Sequence, residues 1–285
     1  MQICRTVADI STAVAQYRRD GATVGLVTTM GALHAGHMQL VAEAKGTHDR
    51  VIATIFVNPT QFGNPADLES YPRTEAADLA MLEAAGVAAV FIPQISEVYP
   101  EGDETIVETT RLANMLHGLV RPGHFRGVAT VVCKLFNIIR ADAAYFGEKD
   151  YQQLQVIRRM VSDLHIPIQI FGVATVREAD GLAMSSRNVR LTAEDRGAAV
   201  CLSKALDAAE KAAGAGASVA AIDEAMRAVI AAEPRGRLVA IDIVEAGTLV
   251  PIGGIPTGDI AIMLSVAFGR EDNPVLLIDQ REIRK

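Results

Sequence analysis

Apolar residues along the chain fall into short β-branched runs that alternate with stretches of helical spacing. The run from Val24 to Val27 breaks at Thr28 to Gly31 and restarts with helical spacing at Met38, Leu40 and Val41, which predicts a strand, a tight turn and a helix. Further buried strands are expected over Val51 to Val57, Val87 to Ile92, Ala143 to Phe146 and Ile168 to Val173. Helices are expected over Asp9 to Arg19, Arg73 to Ala85, Val128 to Ile139, and from the polar segment after Phe146 to about Leu164. Strand and helix taking turns in this way predict an α/β fold with a doubly wound parallel sheet. After Val176 the texture changes. A polar, Gly-containing stretch leads to helices over Ala198 to Gly216 and Ser218 to Ala232, mixed with strands near Leu238 to Glu245, Asp259 to Phe268 and Val275 to Asp279. The expected division is therefore a larger domain over 1–175 and a smaller α+β domain over 176–285.

Composition narrows the functional classes. With 285 residues, half of them apolar, the chain can bury a core of the size two domains need. Its net charge of -7 argues against nucleic acid as the main partner, because affinity for a phosphate backbone needs a basic face. No long uninterrupted apolar run occurs, so no membrane span is expected, and MQICRTVADI lacks the order of a secretory signal; the expected location is the cytoplasm. Cys4, Cys133 and Cys201 are scattered without metal or redox spacing, and read as buried reduced thiols.

Candidate chemistry collects where strands end. His34 and His37 flank Gly36 at the predicted start of a helix, where unpaired backbone N–H groups and the helix dipole favour an anion. Asn58 and Gln61 follow the second strand of this series; both donate and accept, which suits a small substrate carrying hydroxyls and a carboxylate, although taken alone the loop reads first as an ordinary Asn-Pro turn. Arg121 to Gly127 is a cationic, Gly-rich loop before an apolar helix. After Phe146, Lys149 offers a point charge for phosphate, Asp150 a ribose acceptor or a helix cap, and Gln153 lies one turn further on. Ser185, Ser186 and Arg187 form a short run of donors, either a phosphate clamp or part of a flexible linker.

Five segments, TMGALHAGH, VNPTQFG, PGHFRGV, YFGEKDYQQ and GLAMSSRN, occur in an order and spacing that resemble the pantoate–β-alanine ligase family from Thr28 to Asn188. His34 to His37 resembles the H-x-G-H nucleotide signature of class I aminoacyl-tRNA synthetases and related nucleotidylyltransferases. Met184 to Arg187 is similar to the second signature of that superfamily. The resemblance implies a Rossmann-like sheet, a cytoplasmic homodimer, and a two-step reaction: pantoate's carboxylate attacks the α-phosphorus of MgATP, and β-alanine's amine then displaces AMP. It implies phosphate contacts from His34, His37, Lys149, Ser185, Ser186 and Arg187. Nucleotide contacts are implied for Met30, Gly147, Asp150, Val176 and Met184, and pantoate contacts for Gln61 and Gln153 with Met30 packed nearby. Asn58, Tyr71 and Arg121 would line the second-substrate region, and Asp78 would be the candidate metal ligand, although only one acid stands in Ala76-Ala77-Asp78. A nucleotidylyltransferase would share H-x-G-H but not the VNPTQFG and GLAMSSRN pair. A tRNA synthetase would need a basic RNA-binding module that this chain lacks.

Overall fold

The structure, a computed structural model, describes residues 1–285, the side chains of residues 66 and 67 excepted. The predicted alternation builds a six-stranded sheet from β1 (Gln2–Cys4), β2 (Val24–Thr29), β3 (Arg50–Ile55), β4 (Ala89–Phe91), β5 (Ala143–Gly147) and β6 (Gln169–Val173). Their order is β1-β4-β3-β2-β5-β6, and every pairing is parallel. The helices of this half are α1 (Val7–Arg19), α2 (Ala35–Thr47), α3 (Pro65–Glu69), α4 (Glu75–Ala84), α5 (Ile95–Val98), α6 (His117–Val120), α7 (His124–Ile139) and α8 (Tyr151–Asp163). Because β2 sits between β3 and β5, the strand order reverses there, and the carboxyl ends of β2 and β5 flank the crevice where doubly wound sheets bind ligands. The sheet is buried because its strands read as near-continuous apolar runs; Val27, Val51, Ala53, Val90 and Tyr145 pack with Val41 of α2 in one cluster.

Among the departures from the sequence reading, two have local reasons. α7 starts at His124 rather than Val128, because Gly123 adopts φ 79° and turns the chain directly into the helix. Residues 124–127 thus belong to its first turn, not to a loop. β1 escapes the pattern altogether, being three residues that pair with β4 at the sheet edge.

The chain forms two compact units, Met1–Gly147 with Gln152–Ala174, and Glu148–Tyr151 with Thr175–Lys285. A single cut between 175 and 176 therefore misassigns the Glu148–Tyr151 segment. The physical reason is the Tyr151 hydroxyl, which donates to Glu282 at 2.8 Å and accepts the Gly247 N–H at 3.0 Å, both within the second unit. That unit holds α9 (Ala193–Ala198), α10 (Cys201–Gly214) and α11 (Val219–Ala231), together with an antiparallel sheet of β7 (Arg237–Glu245), β8 (Ile260–Phe268) and β9 (Val275–Ile283). Its core joins Leu202, Leu206, Ile222 and Met226 of the helices to Leu264 and Phe268 of β8. Burial pushes the Cys201 thiol up to about 11 and raises those of Cys4 and Cys133 as well, so all three stay protonated at neutral pH; Cys133 is only partly buried. No helix among the described residues is long and apolar enough to cross a membrane.

Candidate active site

The turn after β2 is pinned from three sides. The Thr29 hydroxyl donates to the Thr54 carbonyl at 2.7 Å and accepts the Gly31 N–H at 3.1 Å, tying the strand end to β3. Gly31 and Ala32 then take left-handed backbone angles, φ 84° and 50°. The buried Asp78 carboxylate of α4 accepts the N–H groups of Ala32 at 3.0 Å and Leu33 at 2.8 Å, and a hydroxyl bond from Thr74 at 3.1 Å. The Asp78 oxygens, expected to face a metal, thus accept from the backbone of the turn and from Thr74. Among the described residues no group of three or more His, Cys, Asp or Glu side chains is arranged to hold a metal ion.

The turn delivers His34 as the N-cap of α2, whose first turn carries no acidic side chain to offset the helix dipole. His34 Nδ1 accepts the Gly36 N–H at 3.1 Å, and His37 Nδ1 accepts the His34 N–H at 3.3 Å. The two rings lie 4.1 Å apart, centroid to centroid. Since both Nδ1 atoms accept, a neutral ring in each case carries its proton on Nε2, which is the tautomer that donates to an anion.

The loop after β3 is organised around Asn58, which is 1% exposed. Its amide donates to Gln61 Oε1 at 3.0 Å and the Gly127 carbonyl at 3.2 Å, while its oxygen accepts from Tyr99 at 2.8 Å and Thr60 at 3.0 Å. Asn58, expected to line the second-substrate region, is buried with its amide engaged on every side, and it holds the Gln61 side chain. Gln61 Nε2 in turn reaches Met30 Sδ at 3.3 Å. His124 Nδ1 must donate to the Gln61 carbonyl at 2.9 Å, so its Nε2 is the acceptor for Arg121 at 3.3 Å. Gly127 lets α7 approach this loop: a Cβ there would stand 2.5 Å from the Thr60 carbonyl oxygen and 2.7 Å from the Gln61 nitrogen. Tyr71 packs edge-on against Phe62 at 5.8 Å. Gly147 closes β5, and Gln153 is half-buried in α8. Its neighbour Gln152 is buried and structural, donating to the carbonyls of Leu112 and Met115 and accepting the His117 N–H.

In the second unit, Val176 and Met184 join through the Met184 N–H to the Val176 carbonyl, 2.9 Å, in a hairpin whose tip is Gly181 at φ 93°. Arg177 anchors that hairpin with a bidentate pair to Asp279 of β9, at 2.7 and 3.0 Å. Ser185 caps the 3-10 turn Ser186–Arg190, its Oγ accepting the Arg187 N–H at 3.2 Å. Met184, Ser185, Ser186 and Arg187 are all half-buried. Lys149 is half-buried and Asp150 exposed, on the segment that Tyr151 ties down. Among the candidate groups the structure thus joins Gln61 to Met30 and His34 to His37 in the first unit, while Lys149 and the Ser185 loop both belong to the second.

A family model described as Pantoate-beta-alanine ligase matches residues 2–282. The chain belongs to the pantoate–β-alanine ligase family. A pantothenate synthetase of Agrobacterium fabrum is 49% identical over 284 residues, 99% of this chain and 96% of that protein. One from Cereibacter sphaeroides is 57% identical over 231 residues, 81% of this chain and 83% of its own. Among solved structures, pantothenate synthetase from Thermus thermophilus has a TM-score of 0.93 at 44% identity, with 100% of both chains covered. A pantoate–β-alanine ligase from Francisella tularensis, solved with Beta-gamma ATP and Beta-alanine, has a TM-score of 0.80 at 32% identity, covering 99% and 97%. Within this ligase the supporting residues that the sequence leaves unmarked are Tyr99, Arg177 and Asp279. Each matters through a contact far away in sequence, and none stands in a pattern that announces it.

Proposed function

We propose that this pantoate–β-alanine ligase makes pantothenate from pantoate and β-alanine, with MgATP converted to AMP and pyrophosphate through a pantoyl adenylate. The observation that carries the reading is the match over residues 2–282 to the ligase family, one relative of which was solved with Beta-gamma ATP and Beta-alanine. In the first step a pantoate carboxylate oxygen forms a bond to the α-phosphorus and the bond to pyrophosphate breaks. In the second, the neutral amine of β-alanine bonds to the acyl carbon, the acyl–oxygen bond breaks, and AMP leaves.

The side chains divide this work. His34 and His37, as Nε2 donors at the head of α2, stabilise charge on the phosphates; Lys149, Ser185, Ser186 and Arg187 are assigned to the same charge from the second unit. Gln61, held by Asn58, and Gln153 orient pantoate, with Met30 alongside. Gly147, Asp150, Val176 and Met184 are assigned to the adenosine, and Tyr71 and Arg121 to the β-alanine region. No residue is needed as a covalent nucleophile, so the rate comes from positioning and preorganised donors. Magnesium is taken up as part of the substrate, held by ATP phosphates and water, as its demand for octahedral oxygen favours. The reading extends to a homodimer acting in the cytoplasm, with no nucleic-acid or membrane partner.

Product analysis tests the reaction. With MgATP and pantoate alone, pyrophosphate should appear in a burst of about one equivalent per active site. Adding β-alanine should start sustained release of AMP and pantothenate. Formation of ADP, or pyrophosphate release that requires a different acceptor, would refute it.

A further inference from the structure

We infer that Asp78 is a positioning residue for the nucleotide site, its buried carboxylate holding the turn that presents His34 and His37, and that it does not bind the metal. The inference rests on the reading of those two histidines as phosphate donors, and it deepens that reading by naming what sets their place.

Asp78 lies at the first turn of α4, 2% exposed, and among the described residues no Lys, Arg or His comes within ion-pair distance of it. A buried carboxylate without a cation is costly unless hydrogen bonds compensate it. Here they do. One oxygen takes the Leu33 N–H at 2.8 Å, the other the Ala32 N–H at 3.0 Å, and the Thr74 hydroxyl lies 3.1 Å from both. Bonds from N–H to an ionised acceptor are the stronger kind. They close on a segment that would not keep its shape unaided, because Ala32 holds φ 50°, a conformation disfavoured for any residue with a Cβ. Backbone held off its preferred region persists only where the surroundings over-determine it.

The packing leaves no slack. A Cβ on Gly31 would stand 3.1 Å from the Asp78 carboxylate and 3.2 Å from Ile55, so carboxylate, turn and β3 are in direct register. Two residues past Ala32 the chain becomes the N-cap of α2, and the cap geometry sets the orientation of both imidazoles. A displaced turn therefore displaces the donors. The same geometry opposes a metal role, since two N–H groups and a hydroxyl already point at the carboxylate, and a cation would have to dislodge them.

Asp78→Asn tests the proposal, because the amide keeps the volume but turns an NH2 toward one of the two backbone donors. Amide hydrogen exchange at Ala32 and Leu33 should accelerate at least about tenfold with the rest of β2 still protected. The kcat should fall about tenfold, with the magnesium concentration for half-maximal rate unchanged. Added to a variant that already carries His34→Ala and His37→Ala, the substitution should cost little more, since the donors it positions are gone. Thr74→Val, which removes only the hydroxyl, should move exchange and kcat the same way by less, and it decides the matter should Asp78→Asn fail to fold. A rise of about tenfold in the magnesium requirement with Ala32 and Leu33 still protected would overturn the inference in favour of a metal ligand. So would wild-type exchange and kcat in both variants. The exchange readout needs no substrate, so a failure of the ligase reaction itself would be seen separately, in the wild-type product analysis.

Discussion

His37→Ala is expected to cut turnover by at least about 100-fold, a loss of about 2.7 kcal/mol in transition-state stabilisation, with the fold intact. The fold should survive because His34 keeps its own half of the α2 capping box, Nδ1 accepting the Gly36 N–H at 3.1 Å, when the His37 half, Nδ1 accepting the His34 N–H at 3.3 Å, is removed. What is lost is the Nε2–H donor beside the place where charge develops. Because that charge grows along the reaction, kcat and kcat/KM should fall together, with little change in KM for ATP. Steady-state kinetics alongside a thermal unfolding curve checks this. Unchanged turnover would remove the H-x-G-H turn from the mechanism.

Arg177→Ala is expected to destabilise the second unit by about 3 kcal/mol. Asp279 is 2% exposed and its carboxylate is held bidentate by the guanidinium, which also bonds the Gly181 carbonyl at 3.0 Å. Removing the arginine leaves a buried charge uncompensated, and the hairpin before Ser185 loses its anchor to β9. The double variant Arg177→Met with Asp279→Leu should recover much of the loss, since no unpaired charge remains. Denaturant unfolding of Arg177→Met, Asp279→Leu and their double variant gives the cycle. A single-variant loss below about 0.5 kcal/mol would show that the pair contributes nothing measurable.

Much of the architecture is legible in the sequence because parallel strands buried on both faces write themselves as apolar runs, as at Val24 to Val27 and Val51 to Val57. The His34 and His37 turn is legible for a similar reason, since strand, turn and helix are consecutive and the chemistry sits on the joint. What depends on distant contacts is not. Asp78 looks like a lone acid on an ordinary helix until α4 sets it under a turn more than forty residues earlier. Asn58 looks like a substrate group until Tyr99 and Gly127 are seen to occupy it. The Glu148–Tyr151 segment follows β5 in sequence yet belongs with the second unit, because one buried hydroxyl ties it to β9 and to Gly247. β9 itself runs four residues past its predicted end at Asp279, through the buried Gln280 and charged residues whose polarity disguises a strand.

The central claim is that the pantoate carboxylate is activated as an acyl adenylate, and the most direct measurement follows that carboxylate's oxygen. With pantoate labelled with oxygen-18 in both carboxylate oxygens, one label should pass to the phosphate group of AMP and one should remain in the amide carbonyl of pantothenate, while pyrophosphate stays unlabelled. AMP free of label, or label found in a released phosphate or in pyrophosphate, would contradict the account.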